Sequence, residues 1–533
     1  MYYVNLFAFS SPSEKFFSGV FRYIDASLDT VNWDLRKGMP IYQEQMKRMK
    51  NGFSSDEDDR NGTMTRILPP SHPLYCPNNG ALPLLDTLYE QVFRRKPDDA
   101  LKRDPKRRNI LFHTFSQYFV LQFFGEHFNS TVTGSQLYGS DETTRRELRS
   151  FVGGKLRTEC HPNNEHYPPQ FSLVEVLSMV FSRMWSTWSN GPTRWFDRVA
   201  ADARRRDSNG WDVLNVHHRR AMGHPLLSMN QALFAMHTMW VREHNRVCDE
   251  LAARWPAWTD NRLYDAAKRI VVGQMMTIMI NDVLNVDGNM WPLKYDPQVH
   301  QGHVLEVDNF AAPMEMLLTM MMPSGLPEWL GKTLFGDNSQ VLKRGMSKTI
   351  KYMVEQQMGM MRSNNDGAVT EPLTKILMKM SRENNVQSFN NYRTYLGLRA
   401  YKSFYDLTGN RKTAEILEFL YKNVDNVEIL TGMITEKITD DIVPTFTVMI
   451  NSFIVNSIVT NPLYSKTMWK PDTFDGDFGF SIVKHASIRT FICNNLHDEC
   501  ENDEYMDLAE SHANRFDEPQ FFGFGDLGVK SRD

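Results

Sequence analysis

Two stretches carry the residue types that could do chemistry. In MEMLLTMMMPSG (314–325), Met320, Met321 and Met322 run into Pro323. A thioether in such a place either fills irregular apolar space or faces a soft metal centre as a weak ligand. In WVREHNRVCDEL (240–251), Arg242, Glu243, Asn245 and Arg246 put several hydrogen-bonding groups into an otherwise apolar helical pattern. Such a set is either a structural polar network or part of a site. The five cysteines, at 76, 160, 248, 493 and 500, fit neither a disulfide scaffold nor a repeated metal-ligand spacing, so no metal site is expected. Cys493 and Cys500, in CNNLHDEC, either close a short loop or stand as two free thiols; Cys248 lies in a helical pattern and reads as a buried thiol.

The elements that position these residues are helical. NILFHTFSQYFVLQFFGEHF (109–128) predicts a strongly apolar, central helix. SMNQALFAMHTMWVREHNRVCDELAARWP predicts a long helix opened by a capping-type Ser228 and stopped at Pro256. TDNRLYDAAKRIVVGQMMTIMINDVLN, capped near Asp260, gives about 25 helical residues, roughly 38 Å of helix. Shorter helices are expected over 375–382, 397–407 and 411–423, separated by Asn- and Gly-containing turns. Strand patterns are few and short. The expected fold class is mainly α, a large helical domain over 61–505. Residues 1–60 form an amphipathic appendage ending in the acidic linker SSDEDDRNG, and 506–533 a loosely ordered tail.

Composition narrows the function. The 533 residues include 60 basic and 64 acidic side chains, a formal net charge of -4, which gives no electrostatic reason to expect a nucleic-acid partner. Methionine is abundant at 31 copies, consistent with core filling. The N-terminus lacks the basic leader and apolar run of a signal peptide, and IVVGQMMTIMI is cut off by Asn281 and Asp282 before it could span a bilayer. These features point to a cytoplasmic or peripheral membrane setting. The sequons Asn61-Gly-Thr and Asn129-Ser-Thr matter only in the lumen of the endomembrane system. Residues 1–50 have the mixed aromatic and basic character of a segment lying on a membrane surface.

WVREHNRVCDEL closely resembles the long helix of the animal haem peroxidases, and most of all of the cyclooxygenases (prostaglandin endoperoxide synthases). Further blocks match in order: TRILPP (65–70) with Cys76-Pro77, NILFHTFSQYFVLQFF, QLYGSDETTRRELRSFVGGKLR, SFNNYRTYLGLRAYKSFYDLTGN, LYKNVDNVEI, MWKPDTFDGDFGF and ASIRTFICNN. The resemblance covers about residues 61–500. It implies a mostly helical fold around a haem pocket, an adjoining fatty-acid channel, a monotopic membrane contact and a homodimer.

The departures fall on the chemical positions. The distal glutamine is retained as Gln117, whereas the distal histidine four residues later is Leu121. A distal imidazole takes a proton from the peroxide and returns it to the leaving oxygen, and loss of such a group costs ~10²–10⁴ in rate. His127, six residues further on, is turned about 600° around the axis at ~100° per residue and does not replace it. Counted back from Pro323, the proximal histidine is Met322 and the radical tyrosine is Thr319; no histidine occurs between His303 and His485. The channel serine falls at Ile454 and the peroxidase-side tyrosine at Leu430. Arg48 is the one candidate for the arginine that binds a substrate carboxylate. The growth-factor-like module that resembles a partner for Cys76 has no upstream counterpart, and the CNN…C loop is one residue longer than the family's disulfide loop.

These residues predict a cyclooxygenase-family pseudoenzyme that binds a fatty acid, another lipid or a protein, with Met322 either packed into a pocket that holds no working haem or standing as a weak axial ligand. The alternatives are a haem-dependent peroxidase or fatty-acid dioxygenase with unconventional ligands, kept open by Gln117 and the polar helix, and a structural membrane-associated protein.

Overall fold

A computed structural model describes residues 66–71, 82–104, 108–124, 131–169, 220–224, 227, 230–284, 313–327, 330, 338–396, 398–438, 445–459, 461–465 and 467–496. The N-terminal segment, Arg48, Asn61, Cys76, His127, Asn129, Cys500 and the tail 506–533 lie outside the described residues.

The architecture is mainly α, as the patterning predicts. The helices that carry the site are α1 (Ile110–Leu121), α2 (Gln231–Arg254), α3 (Asp260–Ile278), α4 (Met314–Met320), α5 (Glu371–Glu383), α6 (Phe389–Tyr395), α7 (Phe404–Thr408), α8 (Arg411–Tyr421), α9 (Ile429–Thr435), α10 (Thr445–Val459), α11 (Asp477–Lys484) and α12 (Ile488–Asn495). Among the described residues the only sheet pairs two short antiparallel strands, β1 (Glu159–Cys160) and β2 (His166–Tyr167). No described helix is long and apolar enough to cross a membrane.

α2 and α3 form the central hairpin. α2 begins at Gln231, where the Asn230 side chain accepts from Leu233 N at 2.8 Å, so Asn230 takes the capping role expected of Ser228. α3 is capped by Thr259, next to Asp260 as expected, and continues as a π-helical turn over Met279–Leu284. Gly273 lets α11 approach: a Cβ there would meet Val483 Cγ1 at 2.7 Å. α1 packs across α2, with Tyr118 stacked on Trp240 at 6.4 Å and Trp240 in turn on Phe491 of α12 at 4.1 Å.

The helix expected over 397–407 is confined to α7 at Phe404–Thr408, and α6 occupies SFNNYRTY instead. Asn390 explains the difference. Its side chain accepts from Tyr401 N at 2.9 Å and donates to Tyr401 O at 2.9 Å, and Arg393 Nε donates to Arg399 O at 2.8 Å. These bonds hold the 398–403 backbone out of helix, a tertiary effect that overrides local propensity. α8 stops at Tyr421 because Lys422 turns left-handed at φ 61.

The polar set on α2 is a bracing network. Glu243 is fully buried and accepts from Arg246 Nε at 2.9 Å and Nη2 at 2.8 Å, from Gln274 Nε2 of α3 at 2.8 Å and from Asn495 Nδ2 of α12 at 2.8 Å. Asn245 pairs with both backbone groups of Leu156, accepting from its N at 2.8 Å and donating to its O at 3.1 Å. Arg242 donates to His166 O at 2.9 Å and lies over the Tyr167 ring. Burying a carboxylate costs several kcal/mol unless its lone pairs are filled. Here four donors fill them. Arg246→Ala removes the only cation bonded to Glu243 among the described residues and should cost about 3 kcal/mol, read as a lowered urea midpoint, because it leaves a buried, uncompensated charge.

Candidate functional site

The positions that the resemblance singles out sit on α1, on α4 and the turn after it, on α9 and on α10. α1 is set by Asn109, whose side chain accepts from Phe112 N at 3.0 Å. Every α1 residue is buried except His113 and Gln117, which are half-buried and one turn apart. Leu121 continues that face and is only 3% exposed. The neighbouring Gln122 is taken up structurally, accepting from Thr133 N and Gly134 N at 3.0 Å each.

α4 places Thr319 and the triple methionine. Thr319 Oγ1 donates to Met316 O within its own helix at 3.0 Å. Met320, Met321 and Met322 are all buried. The turn after them is fixed against 357–365: Gly359 N donates to Gly325 O at 3.0 Å, and Gly325 N to Asn365 O at 3.1 Å. Gly325 has φ +86, and a Cβ there would meet Met360 O at 2.7 Å. At the other end of α4, buried Glu315 accepts from Tyr392 Oη at 2.7 Å and Ile67 N at 3.1 Å, and burial holds its carboxyl above the ordinary range. Ile454 on α10 and Leu430 on α9 are fully buried aliphatic side chains.

At the positions that the resemblance assigns to haem ligation and proton transfer, the side chains supply no imidazole. Leu121 has no donor atom, Met322 offers a thioether, and the Thr319 hydroxyl is spent on its own helix. No metal-holding group of His, Cys, Asp and Glu side chains occurs among the described residues. Cys248 is a buried free thiol pushed up to about 12 by burial, its Sγ donating to Gly154 O at 3.3 Å. Cys160 is free and exposed, whereas Cys493 is disulfide-bonded, which removes the free-thiol reading at that position.

One polar residue on this face escaped the sequence reading. His113 lies four residues before Gln117, at the spacing that stacks side chains on one helical face. Its Nε2 is buried without a hydrogen-bond partner, and burial, aided by Arg108, pulls its imidazole down to about 4. The Gln117 side chain makes no hydrogen bond among the described residues. His113 does not stand in for a distal histidine at position 121, because eight residues of helix separate the two by about 12 Å.

The sequence pattern of the animal haem peroxidases matches residues 126–505. The chain is 29% identical over 484 residues to prostaglandin G/H synthase 2 of Equus caballus, covering 86% of this chain and 74% of that protein. It is 28% identical over 459 residues to prostaglandin G/H synthase 1 of Mus musculus, covering 81% and 70%. Among solved structures it is similar to the fatty acid alpha-dioxygenase of Oryza sativa, with TM-score 0.61, 15% identity and 82% of each chain covered. Peroxidase A of Dictyostelium discoideum gives TM-score 0.60 at 13% identity, covering 81% of this chain and 92% of that one. A complex of the rice enzyme with palmitic acid gives TM-score 0.59 at 15% identity, covering 84% and 82%. The structural likenesses establish the fold.

Around the site the imidazoles are neutral. Burial holds His113, His224 and His244 near about 4, and His237 near about 3. His244 accepts at Nδ1 from Tyr138 Oη at 2.9 Å and donates from Nε2 to Gly154 O at 3.0 Å. In the unfolded chain these rings take up protons below their ordinary value of 6.5, whereas the folded chain refuses them until near pH 4. Stability is therefore lost as pH falls from about 6.5 towards 4. Asp282 and Asp366, raised to about 6 by burial, oppose this over part of the window. A His244→Gln variant should show a shallower loss than the parent across that range, measured as urea-unfolding free energy against pH.

Proposed function

Because this chain belongs to the animal haem peroxidase family, we propose that it is a member without peroxidase or prostaglandin-forming chemistry, its helical framework serving to bind a fatty-acid-class ligand. The observation that carries this reading is the joint identity of Leu121, Thr319 and Met322, all buried.

Each replacement removes a separate requirement. Peroxide cleavage needs a group that accepts a proton from one oxygen and delivers it to the other, and a leucine side chain does neither. Hydrogen abstraction from a fatty acid needs an oxidisable phenol. The aliphatic hydroxyl of Thr319 has no comparable radical state, and its proton is directed at Met316 O. A bound haem would take up the oxidising equivalents of a hydroperoxide and pass them to the protein or substrate. The residue at its proximal position is a thioether, which binds iron more weakly than imidazole and favours the reduced form.

Support for the ligand class comes from one face of α1, on which His113 and Gln117 are half-buried. His113 and Gln117 present polar groups, and Leu121 continues the same face as hydrocarbon about 12 Å from His113. A polar end followed by an apolar stretch suits an acyl chain with a polar head. The rice alpha-dioxygenase, which shares the fold, has been solved with palmitic acid. A second reading, a haem enzyme with unconventional ligands, draws on the same His113 and Gln117 as the polar residues left on that face.

The two readings separate on haem content. Protein purified from haem-supplemented cells is expected to carry no Soret band and to turn over no hydroperoxide. Leu121→His combined with Met322→His should restore haem binding, read as a Soret band at about one haem per chain. A parent chain that retains stoichiometric haem and reduces hydroperoxide overturns the proposal in favour of the enzyme. The ligand arm is read separately, by displacement of a fluorescent fatty acid from the haem-free parent, and failure to bind any long-chain fatty acid removes the carrier assignment.

A further inference from the structure

The segment between α1 and α2 carries a feature that the proposed ligand site does not use. Residues 149–156 form a tight loop closed by an antiparallel bridge between Arg149 and Leu156. At its tip Phe151 is 51% exposed and Val152 72% exposed. Phe151 has φ 58, and Gly153 and Gly154 follow at φ 63 and 74. A left-handed conformation is ordinary for the two glycines but is a genuine outlier for a bulky aromatic.

The surroundings impose that conformation. Asp260, at the start of α3, accepts from Gly154 N at 2.6 Å and from Arg149 Nη2 at 2.6 Å. Asn245 of α2 holds both backbone groups of Leu156. Ser150 Oγ bridges the carbonyls of Val152 and Lys155 at 3.1 and 2.9 Å. The loop is thus clamped onto the central hairpin while two apolar side chains point outward, with the Arg149 guanidinium 4.9 Å from the Phe151 ring.

Behind the tip lies an open groove of about 610 Å³ lined by Arg146, Arg149, Lys155 and Arg157. Glu159 is the single carboxylate on its wall and faces Arg220 at 3.5 Å. Lys155 pairs with Asp249 and Arg149 with Asp260, whereas Arg146 makes no ion pair among the described residues. Arg146 therefore brings positive charge directly beside the apolar tip.

We propose that the 149–157 loop docks on an anionic phospholipid surface, with Phe151 and Val152 entering the acyl boundary and the groove cations meeting headgroup phosphates. Charge complementarity selects the surface: basic side chains next to a leaflet of negative lipids each add to binding, and apolar side chains add their partition into the boundary layer. Shape selects lipid over protein. A specific protein interface buries on the order of 800 Å² per partner in a complementary patch, and a convex two-residue tip offers no such patch. A lipid surface accepts a convex tip without shape matching.

The test uses the full chain and sedimentation with two kinds of vesicle, phosphatidylcholine alone and phosphatidylcholine with phosphatidylserine. The parent is expected to bind the phosphatidylserine vesicles and to release as salt rises. Phe151→Gly relieves the left-handed strain, so its thermal midpoint should match or exceed the parent's while its vesicle affinity falls about tenfold. Arg146→Gln should weaken binding by about fivefold and flatten the salt dependence. Contacts made elsewhere in the chain cancel in these comparisons. The proposal is overturned by a parent that ignores phosphatidylserine vesicles or binds pure phosphatidylcholine equally well. Unchanged affinity in Phe151→Gly overturns it too, as does competition by polyglutamate that is indifferent to position 151 and so points to an acidic protein partner.

Discussion

The fold depends on a single buried carboxylate. Glu243 sits at the middle of α2 with no exposed surface, and its donors come from three helices: Arg246 on its own, Gln274 on α3 and Asn495 on α12. A charge in that position is tolerable only with all its donors in place, so it fixes rotation and register of α3 and α12 against α2 together. One turn earlier, Trp240 stacks on Phe491 of α12 at 4.1 Å and adds the apolar half of the same joint. Moving any one helix by a turn would break both the ionic and the aromatic contact.

The outer side of α2 organises the chain between α1 and the hairpin by the same economy. Asn245 satisfies the backbone of Leu156, His244 accepts from Tyr138 and donates to Gly154, and Arg242 holds the carbonyl of His166 in β2. Consecutive polar residues of REHNR thus point in different directions and capture different segments, which their ~100° angular spacing requires. A second buried cluster does the corresponding work among α6, α9 and α10. Glu436 is bound there by Arg393 and accepts from Tyr401 Oη at 2.9 Å and Thr445 N at 2.8 Å.

Most of this framework was legible before any coordinates. The 3.6-residue periodicity located α1, α2 and α3, and the density of polar groups in WVREHNRVCDEL marked a buried network. The cap of α2 was misplaced because SMN offers two capping side chains within three residues, and only the packed structure chooses Asn230. The region 397–407 was misread because Asn390 and Arg393 bond the backbone of Tyr401 and Arg399, an interaction that no local pattern records. His113 was overlooked because the family pattern directed attention forward from Gln117 to position 121, although the same i, i+4 spacing runs backward. The Phe151 tip was invisible for a different reason: a phenylalanine and a valine in a polar stretch predict burial, and only backbone strain and exposure reveal that they point outward.

The separation between framework and chemical positions has an energetic reason. Residues such as Glu243, Asn245 and Glu436 are locked to partners, and removing any of them leaves buried polar groups unsatisfied at about 1–3 kcal/mol each. The chemical positions carry no such debt to their neighbours. A buried imidazole without a reacting partner is itself a desolvated polar group, as the unpartnered Nε2 atoms of His113 and His237 illustrate. Leucine or methionine of similar volume at such a position removes that penalty and adds apolar burial. Leu121 and Met322, both buried, contribute such apolar packing without that penalty.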